Sequence, residues 1–343
     1  MRELPRRVLA AAAVAVSFAA VATGLAFARG SATSWNSAAT ASNKGIVDVQ
    51  TKLGLQGGSA AGTGIVLTST GEVLTNNHVI QGATSVKVVV PGTGKSYSAT
   101  VVGYSVTGDI AVLQLSGASG LATISLGDSA KLHVGQRVTA VGNARGRGAL
   151  TRSTGKITAL GRTITAGDGI NSERLSGLIE TDAALQPGDS GGPLLDSSGR
   201  VIGIDTAATT GFTFQASASG GYAIPIDRAA SIAKQIETGD STATVHVGRT
   251  AFLGIEVGRA SGFAEGRTGV PVGGVLAHSP AARAGLASGD QVVAVDGHSV
   301  STSNGLVRLL LTKHPGEKVR VAWLDASGNR HTVQLTLASG PPQ

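Results

Sequence analysis

Residues 181–194 read TDAALQPGDSGGPL, and the fold turns on how Gly188-Asp189-Ser190-Gly191-Gly192-Pro193 is understood. A nucleophilic serine needs a turn that exposes its hydroxyl, and the oxyanion formed on attack needs backbone N–H donors aimed at one point. Glycines on both sides give the backbone the freedom for such a turn and leave room for a substrate. On this reading the segment Gly188, Asp189, Ser190 forms the oxyanion hole, with the N–H groups of Gly188 and Ser190 as donors. A bare Gly-x-Ser-x-Gly is more often an ordinary turn. Six consecutive matching residues are a far more specific pattern.

A serine hydroxyl is a weak nucleophile without a base, so a histidine and an orienting carboxylate are required elsewhere. Of the seven histidines, His78 stands apart in Thr75-Asn76-Asn77-His78-Val79-Ile80, directly after the apolar run ending at Leu74. That is a strand-to-turn junction, from which a side chain reaches a cleft. Asp109 opens Asp109-Ile110-Ala111-Val112-Leu113-Gln114-Leu115, an acidic residue heading an otherwise buried strand. The chain order His78, Asp109, Ser190 differs from the serine-first order of α/β-hydrolases, which argues against an esterase of that fold. No histidine pair has metal-ligand spacing, so neither a metal nor a cofactor is expected. Gly92-Thr93-Gly94-Lys95-Ser96 imitates a phosphate-binding loop, but Val89 stands where that loop needs glycine, and the segment reads as a hairpin turn.

The stretches TNNHV, GDIAVLQL, TDAALQPGDSGGPL and GYAIPID together resemble the trypsin-like serine proteases. With the region that follows, the chain is more closely similar to the HtrA group, which carries a C-terminal PDZ domain, and within it to secreted actinobacterial members with one such domain. The resemblance covers nearly all of residues 46–338. It implies a mostly β fold, a pair of six-stranded β-barrels followed by an α+β PDZ domain. His78 and Asp109 would come from the first barrel and Ser190 from the second, forming a triad that cleaves peptide bonds through an acyl-enzyme. It also implies that Ala184 floors the primary substrate pocket, with Tyr222, Ala223 and Ile224 as the opposite wall, which favours small or medium apolar side chains. One departure stands out: many HtrA members have Asn where Asp189 stands. With no activation peptide to supply an ammonium, Asp189 either meets Arg145 or Arg147 or faces solvent.

In the second unit, Phe252-Leu253-Gly254-Ile255 precedes Ser279-Pro280-Ala281-Ala282-Arg283-Ala284-Gly285-Leu286 and Gly289-Asp290-Gln291-Val292-Val293-Ala294-Val295-Asp296-Gly297. This resembles a PDZ domain whose loop offers the N–H groups of Leu253, Gly254 and Ile255 to a peptide carboxylate while the peptide adds a strand. Leu306, on a helix expected over Thr302–Lys313, would line the pocket for the last peptide side chain. The partners so implied are protein or peptide substrates and peptides with apolar C-termini. The alternative is a chaperone-like peptide binder on a protease scaffold.

The chain of 343 residues is too long for one ordinary core, and it is rich in glycine (50) and poor in aromatics (3%). That mixture suits short strands joined by tight turns, with a single convincing helix in the first unit, expected over Asp227–Thr238 with Asp227 as its cap. No cysteine is present, so disulfides and thiolate catalysis are ruled out. The net charge of +7 is scattered and not interleaved with aromatics, which argues against nucleic-acid binding. Residues 1–28 combine Arg2, Arg6 and Arg7 with an apolar run from Val8 to Ala22, broken only by Ser17, and end in Ala26-Phe27-Ala28. They read as a cleaved export signal or, alternatively, an uncleaved membrane tether, and either places the rest outside the cytoplasm. The organisation expected is 1–28 signal, 29–44 lead, 45–238 protease domain, 239–249 linker, 250–338 PDZ domain and 339–343 tail. Oligomeric state is left open.

Overall fold

The computed structural model describes residues 43–55, 57–167, 172–206, 213–214, 221–258 and 269–343. The signal and nearly all of the lead lie outside these residues. Among the described residues no helix is long and apolar enough to cross a membrane.

Six strands build the first barrel: β1 (Ile46–Lys52), β2 (Ser59–Val66), β3 (Glu72–Thr75), β4 (Ser85–Val89), β5 (Ser96–Ser105) and β6 (Ile110–Leu115). They pair in the order β5-β4-β1-β2-β3-β6, and β6 returns to β5 to close the ring, which removes the sheet edges. The segment from Gly92 to Ser96, expected as a hairpin turn, lies at the β4–β5 turn, where Val90 N–H bonds Lys95 O at 2.8 Å. The second barrel repeats the plan with β7 (Arg137–Gly142), β8 (Thr151–Gly167), β9 (Ser172–Thr181), β10 (Pro193–Leu195), β11 (Val201–Thr206) and β13 (Gly221–Pro225), while β12 (Thr213–Phe214) adds to β8. Both barrels therefore have the six strands expected.

A shared core fixes one barrel against the other. Ile65, Leu74 and Ile110 of the first pack with Val141, Ile204 and Ile224 of the second, under Ala229, Ala233 and Ile236 of a helix. Burying side chains of this size stabilises by ~1.5–3 kcal/mol each. A rigid junction follows, and the catalytic candidates come from its two sides.

One expectation is corrected. The helix after the second barrel runs Ile226–Thr238 and its N-cap is Pro225, not Asp227. Asp227 instead accepts from Ser129 N (3.0 Å), Ser129 Oγ (2.7 Å) and Ala130 N (3.1 Å), so its carboxylate caps a neighbouring 3-10 turn. Residues 239–249, expected as a polar linker, carry contacts to the first unit. Val245 belongs to the shared core, and β14 (His246–Val247) pairs with β5. His246 is buried, with Nδ1 2.8 Å from Leu311 O.

The second unit holds β15 (Thr250–Phe252), β16 (Ile255–Val257), β17 (Val270–Val275), β18 (Gln291–Val295), β19 (His298–Ser299), β20 (Lys318–Leu324), β21 (Arg330–Thr336) and β22 (Ala338–Gly340). Its two helices, Pro280–Ala284 and Ser303–Leu311, are capped by Ser279 and Thr302, whose hydroxyls accept from Ala282 N and Gly305 N. Strands run β16-β17-β18-β20-β21 in one sheet, which leaves β16 at its edge among the described residues. Leu311 of the second helix joins the first barrel's core, and Val307 packs on it. The tail continues the contact: Gly82 N–H bonds Pro342 O (2.9 Å) and Asn77 Nδ2 bonds Gln343 O (3.1 Å).

Candidate active site

His78 stands on a one-turn helix, Asn77–Ile80, that follows β3 directly. Asp109 sits immediately before β6, and its φ of 51° is left-handed, a conformation that costs a non-glycine residue of order 1–3 kcal/mol. The gain is position. Asp109 Oδ2 lies 2.9 Å from His78 Nδ1, and Oδ1 lies 3.0 Å from it. Oδ1 also accepts the His78 backbone N–H (3.1 Å), and Oδ2 accepts Thr206 Oγ1–H (3.0 Å). With the carboxylate accepting at Nδ1, the proton of a neutral imidazole is held there, which leaves Nε2 as the basic nitrogen. Asp109 is 3% exposed, so water competes little for these bonds.

Ser190 lies in the turn between Pro187 and β10 and is wholly buried. Thr63 of β2 carries it across the barrel junction. Thr63 N–H bonds Ser190 O (2.8 Å), and Thr63 Oγ1 donates to Gly188 O (2.7 Å) while accepting from Asn143 N–H (2.9 Å). Thr75 Oγ1 donates to Thr63 O at 2.7 Å, linking this span to the strand before His78. The three chain-distant candidates are thus brought to one junction by backbone and hydroxyl bonds.

In the turn itself the amides of Asp189, Gly191 and Gly192 are committed to Gln186 O (2.9 Å), Asp205 O (2.8 Å) and Asp189 O (2.9 Å). Asp189 N–H therefore points back into the turn. Gly188 has φ 100°, and a Cβ there would lie 2.2 Å from Asn143 O, so the close approach admits glycine alone.

The structure overturns the expectation for Asp189. Its side chain is buried, its Oδ2 accepts Gln186 N–H (2.8 Å), and it meets neither arginine nor solvent. Arg145 directs Nε to Gln186 Oε1 (3.1 Å), and Arg147 is exposed. Burial pushes the Asp189 carboxyl above the ordinary carboxylate range, only partly offset by the Gln186 N–H bond.

The pocket expectation is also corrected in part. Tyr222 and Ile224 point into the shared core, and Ala223 into the second barrel's own core, because side chains alternate along β13. None offers an open wall. Ala184 is exposed, with its N–H on Ser153 Oγ (2.7 Å), and Leu185 packs where a Cβ on Gly221 would meet it at 2.5 Å.

In the second unit Leu253 and Leu306 are both core residues, each 2% exposed, so Leu306 is not a free pocket wall. Phe252 pairs with Ala338, and Ile255 pairs with Val275 at the start of the edge strand β16. Gly254 has φ 86°, and a Cβ on it would strike Ser279 Cβ at 2.1 Å. Its carbonyl accepts Leu276 N–H (3.0 Å), which fixes the turn.

Sequence reasoning passed over Thr63, Asn76 and Thr206. Asn76 Nδ2 donates to Asp109 O (2.8 Å), and its place within Thr75-Asn76-Asn77-His78 was a usable signal. Thr63 carries no local mark, since its role depends on a partner 125 residues away.

Comparison with known proteins matches residues 62–204 to the trypsin-like peptidase domain and residues 251–336 to the PDZ domain. The serine protease PepD of Mycobacterium tuberculosis is 37% identical over 308 residues, which are 85% of this chain and 63% of that protein. A probable periplasmic serine endoprotease, DegP-like, of Halomonas elongata is 35% identical over 291 residues, 82% of this chain and 56% of that one. The chain thus spans about three-fifths of the length of the curated relatives it matches. Among solved structures, the HtrA-type protease AlgW with tripeptide superposes with a TM-score of 0.52 at 29% identity, covering 90% of this chain and 98% of that one.

Proposed function

From the premise that this chain joins a trypsin-like peptidase domain to one PDZ domain and has HtrA/DegP serine proteases as its relatives, we propose that it is an extracytoplasmic serine endopeptidase. The observation that carries the reading is the His78 Nδ1–Asp109 carboxylate bond of 2.9 Å, at the junction to which Thr63 ties Ser190. His78 Nε2 takes the proton of Ser190 Oγ as the oxygen attacks the scissile carbonyl. The N–H groups of Gly188 and Ser190 hold the oxyanion, and His78 then returns its proton to the leaving amine. The acyl-serine is hydrolysed by water through the same steps. Asp109, fixed by Thr206 and by the His78 N–H, keeps the imidazole in one orientation and stabilises its charged form. The location rests on the export-signal reading of residues 1–28 and on the similarity to the probable periplasmic endoprotease of Halomonas elongata.

The test is a fluorophosphonate probe combined with a library of peptide substrates. Covalent labelling of Ser190, with cleavage after Val, Ala, Ile or Leu, is the expected result. The apolar preference is motivated by the absence of a carboxylate at Ala184 and by Leu185 beside it. No labelling would leave the chaperone-like alternative, and efficient cleavage after Arg would overturn the pocket.

The edge strand β16 and the turn at Leu253, Gly254 and Ile255 support a second proposal, that the PDZ domain adds a peptide strand and holds its carboxylate. Hydrogen bonds to a charged group are worth ~1.5–3 kcal/mol, so amidating the C-terminus of an apolar-ended peptide should weaken binding by about tenfold or more. Calorimetry on the full chain is the measurement, because Leu311 and Val307 would lose their packing in an isolated domain. Equal affinity for acid and amide would remove this role.

A further inference from the structure

Behind the nucleophile turn lies a second carboxyl that the mechanism above does not use. Asp205, near the end of β11, is 0% exposed, and among the described residues neither of its side-chain oxygens has a hydrogen-bond partner. Asp189 Oδ1 is buried and without a partner in the same way. The two residues belong to one hydrogen-bonded unit. Gly191 N–H bonds Asp205 O (2.8 Å), Asp205 N–H bonds Gly192 O (2.8 Å), and Gly192 N–H bonds Asp189 O (2.9 Å). Two buried carboxyls with three unpartnered oxygens between them are a costly arrangement in a dry interior. A proton is the smallest group that relieves it.

Among the described residues no cation is paired with either carboxyl. Across the sheet Asp205 stands opposite Ala223 of β13, and β10 begins with Pro193 and Leu194. Tyr222 is the titratable residue on β13, and Thr206 separates Asp205 from Asp109. On the nucleophile turn, Arg145 spends its Nε on Gln186. The charge that acts on Asp205 is that of Asp189. A Cβ on Gly142 of β7 would lie 2.7 Å from Asp189 Oδ1, so the carboxyl is wedged against bare backbone.

We propose that Asp205 is a positioning residue whose carboxyl stays protonated at neutral pH and, set against the carboxylate of Asp189, holds the turn that presents Gly188 and Ser190. The chain of force runs from Asp205 to Asp189, and from Asp189 Oδ2 through the Gln186 N–H to the turn spanning Gln186 to Ser190. Two like charges in such a pocket cannot both persist, and one carboxyl keeps its proton. Burial, then the Asp189 charge, raises Asp205 well above the ordinary carboxylate range, whereas Asp189 keeps a backbone N–H that favours its ionised form. Asp205 is therefore the member that stays neutral. Ionising it places a second negative charge behind the turn and drives Asp189 away.

The sign for stability follows. A carboxyl raised in the folded state binds its proton more tightly there than in the unfolded chain. Its contribution is present at low pH and is lost as pH rises from the unfolded value of 3.8 through the raised one.

This inference rests on the protease reading, so the test pairs a readout that needs no turnover with one that does. Infrared difference spectra of the full chain, wild type minus Asp205→Asn, should show a protonated carboxyl band at neutral pH. Should Asp205→Asn fail to fold, carbon-13 titration of wild-type chain labelled at aspartate reads the same proton. Absence of any protonated carboxyl at neutral pH by the applicable method would overturn the proposal, whether or not the protein cleaves peptides. For turnover, Asp205→Val should lower kcat by on the order of 10- to 100-fold with KM unchanged, since displacing a reacting group by about 1 Å costs up to ~100-fold. In wild type kcat should decline at alkaline pH as Asp205 ionises, and Asp205→Asn should rescue most of the loss seen in Asp205→Val through its amide N–H and remove that decline. Equal kcat in wild type and Asp205→Val, or the same alkaline decline in Asp205→Asn, would overturn the positioning role. Failure of the protease reading appears differently: the band persists while no variant, wild type included, turns over.

Discussion

Replacing Ser190 by Ala is expected to lower kcat by on the order of 10⁶-fold while the chain stays folded. The substitution removes a hydroxyl and leaves the bond from Thr63 N–H to the Ser190 carbonyl in place. His78→Ala should be about as severe, because a serine without its base is a poor nucleophile. The informative variant is the double one. Residues that act as one unit lose their function together, so the pair should be little worse than either single change. Turnover of a peptide substrate, with circular dichroism as the control for folding, measures this. Losses that multiply across the pair would show that His78 and Ser190 contribute independently, and the triad assignment would fall.

Gly188→Ala is expected to lower kcat by ~10²–10³-fold, the range found when an oxyanion donor is lost. Here the reason is geometric. The residue has φ 100°, and the new methyl would lie 2.2 Å from Asn143 O and 3.0 Å from the amides of Arg145 and Gly146. All three obstacles are backbone, so the turn must shift, and the donors of Gly188 and Ser190 shift with it. Forcing a non-glycine residue into this conformation costs of order 1–3 kcal/mol as well, which should appear as a lower melting temperature. Acylation measured under single-turnover conditions separates the two effects. A kcat within about threefold of wild type would mean that this turn does not form the oxyanion hole, given how much such donors contribute.

The comparison of sequence with structure divides along the range of the interactions involved. Gly188-Asp189-Ser190-Gly191-Gly192-Pro193 announces a nucleophile turn because its demand, left-handed backbone and absent side chains, is satisfied within six residues. His78 and Asp109 stood out as candidates for a similar reason, since one follows the apolar run ending at Leu74 and the other heads the run Ile110–Leu115. The helix expected over Thr302–Lys313 was legible too, and it runs Ser303–Leu311. All of these depend on residues adjacent in the chain, where residue type and spacing decide local conformation.

Asp189 shows where that logic ends. Its neighbours in sequence offer two arginines or open water, and the choice between them looks complete. Closure of the second barrel brings a third possibility, Asp205, from 16 residues downstream, because β10 and β11 pair as a hairpin behind the turn. Asp227 departs for the same reason, drawn from its own helix to Ser129 across 98 residues of chain. The family resemblance implies Tyr222 and Ile224 as pocket walls, but the alternation of β13 fixes which face they take, and both pack in the shared core. The sequence by itself determined the glycine-rich turn, which residues stand as catalytic candidates and the two kinds of domain. Tertiary structure alone decided that Asp189 is buried behind the turn, how Thr63 joins the barrels and where residues 239–249 lie, since each follows from non-local strand pairing that no short stretch of chain encodes.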